Sequence, residues 1–101
     1  MKPITYWLQN DVINKLVNDY GPSFEKLTPG SRRHLIACLA SEIHYWEGED
    51  KEVDWLYART EKFTRHEKDL LIEAIAATLV YHGNPWLETA REMVAISNDA
   101  A

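Results

Sequence analysis

Apolar residues recur three and four positions apart along most of this chain, the spacing that lines one side of a helix wound at about 100° per residue. Between residues 65 and 82, Leu71, Ile72, Ile75 and Leu79 fall in one sector. Between 30 and 47 the equivalent sector holds Leu35, Ile36, Leu39, Ile43 and Trp46. Trp7, Leu8, Val12, Ile13, Leu16, Val17 and Tyr20 predict a helix over 4–20, with one interruption allowed near Asn10. Val53, Leu56 and Tyr57 predict a shorter helix over 51–62, a last one is expected over 85–97, and 22–27 is expected to be a short turn. No stretch alternates at period two for long enough to make a strand. The expected fold is all-α, a small bundle of about five helices in which residues 1–101 form a single domain.

Local punctuation supports these boundaries. Gly21, Gly48 and Gly83 each follow a helical pattern, where a left-handed C-cap favours glycine. Thr28-Pro29 and Asn84-Pro85 pair a capping side chain with a proline whose missing N–H a first helical turn does not need. In "TRHEKDLL" the Thr64 hydroxyl and the Glu67 carboxylate can each accept the other's backbone amide, forming a capping box.

Two helices carry more apolar surface than one core stripe. Behind the stripe of 65–82 stand Leu70, Glu73, Ala77, Val80 and Tyr81, and behind that of 30–47 stand His34, Cys38 and Tyr45. A surface helix normally presents charge along that side. These eight residues are therefore the expected interface, with a two-fold homodimer as the simplest closed arrangement. Glu73 marks the boundary between the polar and apolar parts of its face, where a carboxylate can reach water or an arginine such as Arg32, Arg33 or Arg59. Tyr6, Tyr45 and Tyr57 lie beside core positions and are expected at the rim.

Charge narrows the partners. The formal net charge is -5, and the tightest basic cluster, Arg32, Arg33 and His34, reads as a solvated helix start. Nucleic acid and anionic membrane surfaces are not expected as direct partners, because both need a basic patch. The opening "MKPITYWLQNDV" does not read as a secretory signal, and the apolar run at 70–81 is too short to span a bilayer. Cys38 is the only cysteine, so no internal disulfide can form and a reducing cytoplasm is the expected location.

Candidate chemistry is sparse. His34 with Cys38, and His66 with Asp69 and Glu73, have the spacing of metal half-sites, but the Glu-x-x-His and His-Glu-x-x-His patterns of helical metal centres are absent. The acidic run "EGEDKEVD" at 47–54 lacks the ligand order of a calcium loop and reads as a solvated turn. No catalytic residue, cofactor or metal site is assigned. The expected function is that of a small non-catalytic helical module, cytoplasmic and homodimeric, that works by binding protein. Two alternatives stay open at this point. One is a helical enzyme or metal protein using acids such as Glu42, Asp69 and Glu73 in a cleft; the other is an acidic inhibitor seated in another protein's nucleic-acid groove.

Overall fold

The computed structural model of the protein describes residues 2–81. Among them are five α-helices and no strand: α1 (Ile4–Trp7), α2 (Asp11–Tyr20), α3 (Pro29–Ser41), α4 (Lys51–Arg59) and α5 (Arg65–Tyr81). The fold is all-α as expected. The helix expected at 85–97 and the glycine cap at 83 lie outside the described residues.

Every helix start but that of α1, which follows Pro3, has a side-chain cap. The segment 4–20 breaks before Asn10, which turns extended and accepts the Ile13 amide on its side chain at 2.8 Å to open α2. Thr28 accepts the Ser31 amide at 3.1 Å, with Pro29 at the first helical position of α3. The capping box of α5 forms in both directions, Glu67 N–H to Thr64 Oγ1 at 3.1 Å and Thr64 N–H to Glu67 Oε1 at 3.0 Å. Glu67 also accepts from the Asn10 side-chain amide at 3.4 Å, which couples the start of α2 to that of α5. Donation from the Thr64 amide is the main reason its carboxyl lies below the ordinary range. At the other end of α2, Gly21 takes φ 97°, and a Cβ there would collide with the Glu25 carboxylate.

α3 packs against both α4 and α5, and α1 lies against α5 and α2. Leu35, Cys38 and Leu39 of α3 meet Val53 and Leu56 of α4 and Leu71 and Ile75 of α5 in one core, all fully buried. Ile4 and Ile13 close it from α1 and α2, and Phe24 and Leu27 from the 22–27 turn. No described helix is long and apolar enough to cross a membrane.

Four expectations need correction. The helix predicted over 30–47 ends at Ser41, because Glu42 adopts a left-handed conformation (φ 57°, ψ 28°) with its carboxylate on Lys68 Nζ at 2.9 Å. Ile43 and Trp46 therefore leave the core stripe to which their spacing assigned them and stand exposed. Gly48 has φ 92° but serves a turn between α3 and α4 rather than a helix end. Helix 51–62 stops at Arg59, where the Thr60 amide and hydroxyl both donate to the Tyr57 carbonyl, at 3.0 and 2.9 Å.

The fourth correction concerns Arg32, which is only 3% exposed instead of solvated. Its Nη1 donates to Thr78 Oγ1 of α5 at 3.0 Å, and its Nε has no partner among the described residues. Burial, helped by the adjacent Arg33, pushes its pKa down. Glu73, by contrast, is exposed and solves its boundary position by reaching water.

Truncating Leu71 or Ile75 to Ala is expected to cost about 2–5 kcal/mol as a buried large-to-small change. Ile43→Ala should stay within about 0.5 kcal/mol, as a surface change does. Urea melts of the three variants check this; a loss at Ile43 equal to that at Leu71 would put the residue in the core after all.

Candidate functional site

The connection from α3 to α4, residues 42–50, is fixed from three helices at once. At its start, Glu42 pairs with Lys68 at 2.9 Å and lies 3.7 Å from Arg65, both on α5. The Lys68 hydrogen bond is the main reason the Glu42 carboxyl lies below the ordinary range. From α3, His34 Nε2 donates to the Tyr45 carbonyl at 2.6 Å, which fixes the proton on that nitrogen. From α4, Asp54 accepts from His44 Nε2 at 2.7 Å on one oxygen and from the Gly48 amide at 3.0 Å on the other. The His44 ring also lies on Tyr57, with ring centres 4.8 Å apart.

Short turns complete the loop. The Tyr45 amide donates to the Ile43 carbonyl at 3.0 Å, and the Glu49 amide to the Trp46 carbonyl at 3.0 Å. In the second turn Gly48 occupies the third position, where a positive φ excludes most side chains. Trp46 itself has φ 52°, a costly conformation for a bulky residue.

These restraints turn the apolar side chains outward. Trp46 is 63% exposed, Ile43 54% and Tyr45 37%, three large side chains within four consecutive residues. The Trp46 ring is edge-on to His34 at 5.6 Å and tilted against Tyr45 at 5.6 Å. Single exposed apolar residues are ordinary, whereas three within four residues form a contiguous apolar patch.

The same loop meets the start of α4 through a relay of hydroxyls. Thr28 Oγ1 donates to Ser31 Oγ at 3.0 Å, and Ser31 Oγ donates to Asp50 Oδ2 at 2.6 Å. The other Asp50 oxygen accepts the Glu52 and Val53 amides at 3.1 and 3.2 Å, capping α4. The Ser31 hydroxyl is the first cause, and the capping amides a further one, of an Asp50 carboxyl below its ordinary 3.8.

Catalytic readings find little geometry. His44 and Asp54 could be two members of a nucleophile-activating triad, but Nδ1 of His44 faces Glu47 at 4.0 Å, so both ring nitrogens look toward carboxylates. Burial pushes the Cys38 thiol up, the opposite of an activated nucleophile. Among the described residues, no group of three His, Cys, Asp or Glu is placed to hold a metal ion.

Of the eight residues expected at an interface, the structure describes the side chains of six, and one of those, Cys38, is buried. Tyr45 is exposed at the tip, with half-buried His34 beneath it. Cys38 is in the core and so cannot touch a partner. Leu70 and Ala77 are half-buried on α5, and Glu73 is exposed there. Val80 and Tyr81 belong to the last turn of α5, and their side chains lie outside the described set. Ile43 and Trp46 were missed because their helical spacing with Leu35 and Leu39 assigned them inward.

Two consequences can be measured. Asp54→Ala removes two anchors of the loop, so amide exchange at residues 43–49 should rise by about tenfold while that of α5 stays unchanged. The Asp50 carboxyl is depressed in the folded state, so its contribution is full above the unfolded value near 3.8 and lost as pH falls through the lower folded one. Asp50→Ala should therefore be less stable than the unaltered chain at pH 7, and urea melts should show the gap narrowing below pH 3.8. No family model, no curated protein and no solved structure matches this chain, so the reading of the loop rests on its own geometry.

Proposed function

We propose that the protein is a small non-catalytic helical module that binds another protein, and that the 42–50 loop is its contact surface. The observation that carries this reading is the exposure of Ile43, Tyr45 and Trp46 on a loop anchored to α3, α4 and α5. Aromatic side chains dominate the energetics of protein interfaces because they bury a large area with few rotatable bonds. A loop already fixed in one conformation also has less order to impose at binding.

Among the described residues, the backs of α3 and α5 expose less apolar surface for self-association than the spacing predicts. Among the described side chains of these two backs, Ala74 and Cys38 are buried inside the protomer, Leu70 and Ala77 are half-buried, and Glu73 is exposed. Among the described residues, three of the four exposed large apolar side chains are on the loop, so the reading favours it.

A photo-reactive phenylalanine derivative at position 46, expressed in the source cells, tests this. A discrete protein adduct is expected from position 46 and not from exposed Asn18 of α2. The reading fails if position 46 gives no adduct, or the same adducts as position 18.

A further inference from the structure

Resting on the reading of this loop as a protein-binding tip, we infer that its partner is a protein surface whose apolar patch is edged by lysine or arginine. Residues 42–54 hold six carboxylates (Glu42, Glu47, Glu49, Asp50, Glu52 and Asp54) and one lysine (Lys51), a formal -5 with histidine neutral. That equals the net charge of the whole chain, so the remaining residues balance to zero. The negative excess of the sequence thus falls in the segment that carries the apolar tip.

These carboxylates divide by position. Glu42 is offset by Lys68 and Arg65, Asp54 is committed to His44 and Gly48, and Asp50 caps α4. Glu47 and Glu49 are exposed within the turn that begins at Trp46. They are placed to meet cations around whatever surface covers the Trp46 ring. Rim charges of this kind act chiefly on association rate and on the choice of partner.

The same charge argues against the other occupants. Nucleic acid and anionic lipid would be repelled. A second copy would bring two negative tips together.

The probe is a pair of synthetic amphipathic helical peptides with one leucine face, one carrying lysine on its polar face and the other glutamine. Backbone amide shifts of the isotope-labelled chain report where each binds. The lysine peptide is expected to shift residues 43–49, with affinity falling as salt rises. The glutamine peptide should bind about tenfold more weakly. Trp46→Ser should abolish the shifts, and Glu47→Gln with Glu49→Gln should reduce the lysine peptide to the level of the glutamine one.

Equal binding of both peptides at the tip overturns the cationic edge while leaving the protein-binding reading in place. Lysine-peptide shifts that avoid 43–49, or that survive Trp46→Ser, overturn the inference as well. So does a loop whose shifts change on dilution of the protein alone, because the occupant is then a second copy. The photo-adduct at position 46 separately decides the underlying reading.

Discussion

The ion pair between Glu42 and Lys68 sets the course of the chain between α3 and α4. Lys68 is only 8% exposed, its stem buried and its ammonium reaching a partner anion at the half-exposed edge of the helix pair. Glu42 supplies one at 2.9 Å, but only by leaving the helix in a left-handed conformation that costs a non-glycine residue about 1–2 kcal/mol. Once Glu42 has turned, Ile43 cannot continue the stripe of Leu35 and Leu39, and the chain leaves the core surface. Everything at the tip follows from that departure.

Asp54 then determines how the departing chain returns. Its two oxygens take one group from each side of the tip, the His44 imidazole and the Gly48 amide, six residues or more before it in sequence. A single carboxylate on the first turns of α4 thereby ties down both flanks of Tyr45 and Trp46. The arrangement is stiff because the anchors come from an already packed helix, whose Val53 and Leu56 are fully buried. The loop's order is in this sense borrowed from the core of α3, α4 and α5.

Local rules read much of this chain correctly, and they failed where a distant partner intervened. Caps depend on residues three positions apart, so Thr28 and Thr64 could be placed from sequence, as could the glycine that closes α2. The end of α3 could not. Nothing in Ser41-Glu42-Ile43 breaks a helix, and the spacing of Ile43 and Trp46 favours continuing it; the partners that hold the departed chain, Lys68 on Glu42 and Asp54 on His44 and Gly48, lie 26, 10 and 6 residues away. Arg32 is a similar case, because beside Arg33 and His34 it looks solvated, and only Thr78, 46 residues along, gives it a buried hydrogen-bond partner. Of the expected interface, Tyr45 fell at the tip for this same reason: the helix that was to carry it ends four residues earlier. Glu73 was legible as a boundary residue, since its face changes character along α5, and it is exposed there.

Stiffness and exposure together bear on what the tip can do. A mobile apolar loop could fold back over its own aromatic groups and reduce their contact with water. Here the His34 bond to the Tyr45 carbonyl, the Glu49 to Trp46 turn and the Asp54 anchors oppose that collapse. The left-handed backbone of Trp46 adds strain that a freely adjusting loop would relax. Exposed apolar area and retained strain are both unfavourable in the isolated molecule, and a partner that covers Trp46 would remove the first without having to order the loop. The same rigidity limits which partners fit, because the tip cannot reshape itself to a surface that lacks a matching apolar patch. Fixed geometry would then supply the selectivity for shape, and Glu47 and Glu49 the selectivity for charge.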